Sequence, residues 1–289
     1  MNEVLFRTID NLPPLPATVV KLRDYIDSVG ADVDITKVAA IIQEDPLLTA
    51  ELLRLANSPF YGLSREVSTI QQVVSLLGVS NVKNITIANS IKNVFRIDVS
   101  PYGIDTGEFM NTCAREANFV ADWLGEEDKK LSQMLVPCAM LLRLGVILFS
   151  NSLRVLGKDE EFLQKLKKQN FTNISLVEEE CCGVDSLSFL GFLFNHWRFD
   201  ESLIEYISFM TNPHSAHDDA KKGAYALAVI NCLFESHVGG SSTNIHKAFG
   251  LLEEAQKQGV YFSIENFKNK IPADLMANFE QASVEQTDN

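Results

Sequence analysis

Apolar residues recur along most of this chain at the three- and four-residue spacing of amphipathic helices. One such run spans residues 17–28, a second spans residues 131–149 with little polar face, and a third spans residues 218–236. No segment has the strict two-residue alternation of a half-buried strand. The pattern therefore predicts an all-α protein built as a multi-helix bundle.

The most unusual segment joins two of the predicted helices and spans residues 41–62. Asp45 precedes Pro46, and a residue before proline disfavours the α region, whereas proline suits a first helical turn. One helix is therefore predicted to end at Asp45, and the next begins at Pro46. Residues 57–59 end that second helix, and the ring of Tyr61 then has to pack nearby.

Local signals place several further helix ends. Ser68 with Gln71 and Ser175 with Glu178 have the spacing of capping boxes. Pro137 interrupts the apolar run at 131–149 and predicts a kink or a break. The glycines and serines of 239–242 resemble a linker, and residues 273–282 are predicted to form the last helix.

The motif DPLLTAELLRLANSPFYG, which begins at Asp45, carries a family resemblance. Together with the proline-rich segment 12–16, Ser68-Thr69-Ile70 and Leu76-Leu77-Gly78, it closely resembles the HDOD family, the HD-related output domains of bacterial signalling proteins. The resemblance covers about residues 9–213. It implies an HD-domain-like helical fold with an N-terminal half at 9–97, a degenerate HD-like half at 105–213, and a C-terminal helical extension at 214–289 packed on it.

Catalytic HD phosphohydrolases use histidine and aspartate ligands that converge on one or two metal ions and activate water. By resemblance, the corresponding positions of this chain hold Thr112, Leu142, Arg143, Ser186, Met210 and Thr211. A leucine has no metal-binding atom, and an arginine repels a cation. The resemblance thus implies that the metal site is lost, with no catalytic residue, no cofactor and no enzymatic activity.

The net charge and the length of the apolar runs bear on the kind of partner this protein can bind. The 289-residue chain has a formal net charge of −13, and no apolar run reaches the roughly 18 residues of a membrane span. We therefore expect a cytoplasmic protein that neither binds nucleic acid nor inserts into a membrane. The five cysteines have no metal-binding spacing and indicate reduced core thiols, while the Cys181-Cys182 pair leaves a redox role open.

A second set of residues offers a competing metal hypothesis. His214, His217 and Asp218 belong to an HxxHDD sequence, whose spacing can place both histidines on one helical face. The same acidic residues also suit the start of a helix, where negative charge is favourable. We favour the second interpretation and keep His214, His217 and Asp218 as weak metal-ligand candidates.

The segment from Asp45 to Tyr61 supplies the candidate binding residues. The set consists of Asp45, Arg54, Asn57, Ser58 and Tyr61. These side chains can satisfy backbone groups and pack the turn, which is a structural role. They can also line a surface for a partner or ligand, and the sequence leaves both roles open.

The leading functional hypothesis is a non-catalytic signal-transduction module that binds a signalling protein. The family resemblance implies bacterial regulation, often of motility, biofilm formation or second-messenger pathways. Two alternatives remain: a metal-dependent phosphohydrolase or phosphodiesterase acting on a nucleotide, and a sensor that binds a nucleotide without hydrolysing it. No pattern in the chain names the partner.

Overall fold

The computed structural model of the protein describes residues 2–61, 66–92, 96–171, 173–234, 242–273 and 275–276. Sixteen α-helices and no strand lie within these residues, which confirms the predicted all-α class. None of the described helices combines the length and apolar character that crossing a membrane requires. Gly62, most of the 239–242 segment and most of the predicted last helix at 273–282 fall outside the described residues.

The helices form two compact units. The larger unit is built from the described residues of Met1–Leu12, Arg96–Asn195 and Glu201–Asn289. Its helices are α1 (Glu3–Asp10), α7 (Thr106–Glu127), α8 (Lys129–Leu135), α9 (Leu144–Val155), α10 (Asp159–Lys168), α11 (Ile174–Cys182), α12 (Ser186–His196), α13 (Glu201–Ser208), α14 (Lys221–Phe234), α15 (Ser242–Lys257) and α16 (Ile264–Lys270). The smaller unit combines Pro13–Phe95 with His196–Asp200 and contains α2 (Ala17–Val29), α3 (Ile35–Gln43), α4 (Pro46–Ala56), α5 (Ile70–Leu77) and α6 (Val79–Lys92).

An aromatic cluster anchors one part of the larger unit. Trp123 of α7 is fully buried and packs edge-on against Phe267 of α16, with ring centroids 5.2 Å apart. Phe119, one turn earlier on α7, stacks on Trp123 at 5.6 Å and contacts Phe234 of α14 at the same distance. Aromatic pairs at these separations add about 0.5–1.5 kcal/mol each beyond the burial of their surface. The cluster therefore fixes α7, α14 and α16 together.

The first helix was not predicted from the sequence. Asn2 caps α1 by accepting hydrogen bonds from the backbone N–H groups of Val4 and Leu5. Only Val4 and Thr8 are buried on this helix, and the Thr8 hydroxyl donates a 2.7 Å hydrogen bond to Ser152 of α9. Tertiary contacts with α9 therefore form α1 where the apolar pattern is too sparse to indicate a helix.

The apolar run at 131–149 is not one helix. It divides into α8, an eight-residue 3-10 helix at Val136–Arg143, and α9. Pro137 stands at the beginning of the 3-10 helix, and its missing N–H and fixed φ explain why regular α-helix stops there. Runs of 3-10 helix this long are uncommon because their hydrogen-bond geometry is poorer. The 3-10 helix ends at Arg143, a residue of the candidate functional site described below.

The smaller unit has its own apolar core. α4 begins at Pro46 and Asp45 caps it, which confirms the helix boundary read from the Asp-Pro pair. The capping box of α5 lies one residue later than predicted, on Thr69 and Gln72. The core is formed by buried aliphatic residues of α2 to α6, among them Leu22, Ile42, Leu52, Ile70 and Val73.

A short return of the chain completes this unit. Trp197 and Phe199 are both buried, and the indole N–H of Trp197 donates a 3.3 Å hydrogen bond to the carbonyl of Pro13. The backbone N–H of Asp200 donates a 2.9 Å hydrogen bond to the side-chain oxygen of Asn84 in α6. Five residues that are distant in sequence therefore form part of the smaller unit.

Candidate functional site

Arg143, at the end of the 3-10 helix, points at a carboxylate on α7. Its Nε and one terminal nitrogen each donate a 3.1 Å hydrogen bond to the two carboxylate oxygens of Glu116. The Glu116 side chain is fully buried, and that of Arg143 is 12% exposed. A two-pronged pair of this kind fixes the orientation of both groups.

A third helix completes the cluster. Asn231 of α14 accepts a 3.0 Å hydrogen bond from Arg143 on its side-chain oxygen and a longer one, at 3.5 Å, on its backbone carbonyl. A guanidinium has five N–H donors. Four hydrogen bonds of Arg143 are thus directed at Glu116 and Asn231, so the Glu116–Arg143–Asn231 cluster uses most of the donors within the protein.

Burial sets the electrostatics of the cluster. It raises the pKa of Glu116, while the charge and hydrogen bonds of Arg143 oppose that rise. Cys113, one turn before Glu116, has its pKa raised to about 12 by burial and by the nearby Glu116 carboxylate. A thiol that stays protonated is a poor nucleophile and a poor metal ligand. The Cys113 thiol beside the cluster is therefore protonated at neutral pH.

The other five positions inferred from the resemblance also lack a metal-binding set. Leu142 and Met210 are buried, Ser186 is buried at the start of α12, Thr112 is half-buried on α7, and Thr211 is exposed. Among the residues that the structure describes, no group of three or more histidine, cysteine, aspartate and glutamate side chains is arranged to hold a metal ion. The residues present do not fit the dinuclear centre of an HD hydrolase.

Ser186 belongs to a second buried polar group. Its backbone N–H donates a 2.7 Å hydrogen bond to Glu178 of α11, and the Tyr102 hydroxyl donates a 2.6 Å hydrogen bond to the same carboxylate. Glu178 was expected to cap α11 with Ser175, and this prediction was wrong. α11 begins after Asn173, which makes no side-chain capping hydrogen bond. The carboxylate instead turns into the interior.

The two histidines of the HxxHDD sequence point to different carboxylates. His217 pairs with Glu205 of α13 at 2.5 Å, whereas His214 lies 3.5 Å from Glu254 of α15. Asp218 is exposed and pairs with Lys221 at 2.8 Å. The structure therefore does not bring these weak metal-ligand candidates together around one point.

The candidate binding residues lie at two ends of α4. Asp45 caps its beginning by accepting 3.0 Å hydrogen bonds from the N–H groups of Leu47 and Leu48. Asn57 caps its end and ties it to the following segment through two hydrogen bonds with the backbone of Val67, at 2.7 and 2.8 Å. An 11-residue helix is about 16 Å long, so Asp45 stands apart from the others.

At the far end of α4, Arg54 is exposed and lies in the last turn. Tyr61 is buried, and its ring meets Phe60 edge-on at a centroid distance of 4.8 Å. The Ser58 hydroxyl is buried without a hydrogen-bond partner among the described residues. Arg54 is therefore accessible to a partner, whereas Tyr61 contributes mainly to packing. Whether this turn binds anything stays a prediction.

Two members of the Glu116–Arg143–Asn231 cluster were not predicted from the sequence. Glu116 occupies a position on the buried face of α7, in step with Phe109, Cys113 and Val120, and Asn231 interrupts the aliphatic run of α14. A charged or amide side chain at an apolar position of a helix is the available signal. The pattern does not identify the partner, because Arg143 lies 27 residues from Glu116 and 88 residues from Asn231 in the sequence.

Comparison with protein families decides the classification. The family model of the HDOD domain matches residues 12–213. The chain belongs to the HDOD domain family. The resemblance carried by the Asp45 motif is thereby confirmed.

Three proteins resemble this HDOD protein at different levels of sequence identity. The crystal structure of a virulence factor from Campylobacter jejuni subsp. jejuni is 52% identical in sequence, with 96% of each chain covered and a TM-score of 0.63. A proposed phosphohydrolase from Shewanella amazonensis SB2B is 22% identical, with 97% of this chain and 98% of that chain covered and a TM-score of 0.62. The second likeness shows the fold alone.

The third relative is an uncharacterised protein of Treponema pallidum (strain Nichols), 24% identical over 218 residues. The match spans 73% of this chain but only 40% of the length of that curated relative. Within the HDOD protein, Asn231 lies beyond the matched residues 12–213 and still bonds to Arg143 inside them. One C-terminal helix, α14, therefore contributes a residue to the cluster that lies in the HDOD region.

Proposed function

We propose that this HDOD protein is a non-catalytic regulatory module of bacterial signal transduction that acts by binding partner proteins. Family membership supports the signalling class. The 52% identical chain is named a virulence factor, and we extend that role to this protein as part of the proposal. The division into an N-terminal half at 9–97, an HD-like half at 105–213 and an extension at 214–289 remains part of the same proposal.

The Glu116–Arg143–Asn231 cluster is the observation that carries this proposal. By resemblance, Arg143 stands where an HD hydrolase has a ligand of its His-Asp pair. Its guanidinium is bound to Glu116 and Asn231 by four hydrogen bonds within the interior. A cation that approached Arg143 would meet a fixed positive charge, so the arrangement supports a packed, metal-free interior.

The same geometry weighs against both alternatives. Metal-dependent hydrolysis of a nucleotide needs several oxygen and nitrogen ligands, and Leu142 and Met210 supply none. A nucleotide sensor needs cationic donors for phosphate, but those of Arg143 are largely engaged with Glu116 and Asn231. No contact among the described residues favours either activity over partner binding.

We expect the purified protein to bind no stoichiometric transition metal. The test is elemental analysis after incubation with excess Mn²⁺ and gel filtration, together with hydrolysis of bis(p-nitrophenyl) phosphate. Wild type and His217→Ala should both retain less than about 0.1 metal ion per chain and hydrolyse the ester at the buffer rate, because no ligand set converges. One metal per chain that His217→Ala loses would overturn the proposal.

We also expect Arg54→Glu to weaken partner binding by roughly fivefold or more, because exposed arginines at an interface often contribute at least about 1 kcal/mol. The measurement is quantitative mass spectrometry of proteins cross-linked to the tagged protein in its native cell. Arg7→Glu is the matched control, since Arg7 is also exposed in the last turn of a helix. Equal recovery of every partner with both variants would exclude this end of α4 as the binding surface.

A further inference from the structure

Glu178 is a buried carboxylate that the proposed partner-binding role does not use. Its side chain on α11 is 1% exposed, and it accepts hydrogen bonds from the Tyr102 hydroxyl at 2.6 Å and from the Ser186 backbone N–H at 2.7 Å. The Ser186 hydroxyl is a further hydrogen-bond partner. A single carboxylate thus joins α11, the 3-10 turn at Ser100–Tyr102, and the first residue of α12.

Charged and titratable groups surround this carboxylate unevenly. From its own helix, Cys182 faces both Glu178 and the Tyr102 hydroxyl, and Cys181 faces that hydroxyl. From the start of α12, the Asp185 carboxylate faces Glu178. The remaining charges pair with one another. On the α10 side, Lys165 pairs with Glu161 and Glu180 and contacts Cys181, and on the α1 side Glu3 pairs with Lys158. Within the described part of the chain, the groups that shift the pKa of Glu178 are Tyr102, Ser186 and Asp185, and none of these three is a cation.

Both protonation states of Glu178 can keep their hydrogen bonds. As an anion, the carboxylate only accepts, and the hydroxyls of Tyr102 and Ser186 donate to it. As an acid, it has one O–H to donate, and either hydroxyl can rotate and become the acceptor. The hydrogen bonds therefore do not by themselves favour one protonation state, and the cost of burying a charge decides between the two.

The carboxylate controls the beginning of α12. Asp185 already accepts hydrogen bonds from Leu187 and Ser188, so Glu178 takes the next free backbone donor, that of Ser186. The Ser186 carbonyl packs directly on Gly145 of α9, where an added methyl group would lie 2.4 Å from its oxygen. Movement at Ser186 is thus coupled to α9 as well as to α11.

We propose that the protonation state of Glu178 controls the opening equilibrium of the first turn of α12. The turn stays closed when the carboxyl is protonated and opens more readily when the carboxylate is charged. A buried charge is stabilised by water, and opening of the first turn of α12, whose first residue donates a hydrogen bond to Glu178, would expose this carboxylate to water. The protonated form has no such requirement.

The direction of the titration agrees with this geometry. Burial raises the pKa of Glu178 from 4.5 to about 7, and the hydrogen bonds from Tyr102 and Ser186 oppose that rise only partly. The closed form therefore binds the proton more tightly than the open form, and its advantage falls as the pH rises from about 4.5 to 7. A shift of this size corresponds to roughly a 300-fold change in the opening equilibrium.

The test compares hydrogen exchange of the amides at 186–190 in wild type and Glu178→Gln, each at pH 5 and pH 8. The comparison at one pH cancels the intrinsic exchange rate. We expect the ratio of wild-type to variant opening to rise by roughly 50- to 100-fold between the two pH values. Glu179→Gln, an exposed neighbour on the same helix, should behave like wild type.

Carboxyl carbon NMR of the wild type provides the second measurement. One glutamate signal, absent in Glu178→Gln, should titrate with a midpoint near 7, and Tyr102→Phe should move it upward because a hydrogen bond to the anion is lost. A midpoint below about 5.5, or an unchanged exchange ratio, would overturn the proposal. If Glu178→Gln fails to fold, the Tyr102→Phe shift still decides, and the metal and cross-linking results stand independently.

Discussion

Replacing Arg143 by leucine is expected to lower the free energy of unfolding by about 3–5 kcal/mol. The change leaves Glu116 fully buried without its guanidinium partner and deprives Asn231 of the donor that Arg143 supplies. Breaking one side of a buried pair costs far more than the pair contributes, because the remaining charge has lost its hydration. Urea denaturation followed by far-UV circular dichroism measures the effect.

Two variants separate this explanation from a general effect of removing arginine. Arg154→Leu breaks a partly exposed pair with Asp98 and should cost no more than about 1 kcal/mol. The double variant Arg143→Leu/Glu116→Leu should be more stable than Arg143→Leu alone, since no charge remains buried. If Arg143→Leu costs less than about 1 kcal/mol, the cluster does not organise this interior.

Replacing Gly145 by alanine is expected to cost about 3 kcal/mol, at the upper end of the range for overpacking. The new methyl group would lie 2.4 Å from the carbonyl oxygen and 2.8 Å from the Cβ of Ser186. Backbone atoms cannot rotate away as a long side chain can, so α9 and α12 must separate. The midpoint of thermal or urea unfolding reports the loss.

Gly250 provides a control of opposite sign. It lies within α15, and an added methyl group would meet no atom within 4 Å. The same substitution, Gly250→Ala, should therefore raise the free energy of unfolding by about 0.5–1 kcal/mol through its effect on helix propensity. A loss at Gly145→Ala no larger than about 0.5 kcal/mol would mean that α9 and α12 are not in close contact there.

Local sequence signals were sufficient for much of the fold. The Asp45-Pro46 pair marks the α3 to α4 joint because both of its restrictions act on the backbone of the same two residues. α2 and α14 also lie close to the apolar runs at 17–28 and 218–236 that predict them. In these cases the information is carried within one or two turns of the chain.

Features that depend on distant contacts could not be predicted. α1 has only two buried positions and forms through its contact with α9. The spacing of Ser175 and Glu178 indicated a capping box, but burial against Tyr102 and Ser186 determines where that carboxylate points. Likewise, the long 3-10 helix after Pro137 depends on packing against its neighbours, which a periodic apolar run does not encode.

Of the candidate site, the sequence indicated Arg143 but not its two partners. The resemblance directed attention to Arg143 as a position without a metal ligand, and the structure adds the reason for an arginine there, namely Glu116 and Asn231. Those partners come from helices far along the chain. The candidate binding residues were treated as one group in the sequence, but α4 lies between Asp45 and the others and places them at opposite ends of that helix.

The hydrogen bond between Trp197 and Pro13 links residues 184 positions apart. On a ribosome, the segment from Pro13 to Phe95 emerges long before Trp197 and Phe199, so the contacts of these two residues with the smaller unit form only late in synthesis or after it. A fragment that stops before residue 196 would lack both of these buried aromatic side chains. The smaller unit therefore combines a core that Pro13–Phe95 supplies with two aromatic side chains that join it only after residues 96–195 have been synthesised.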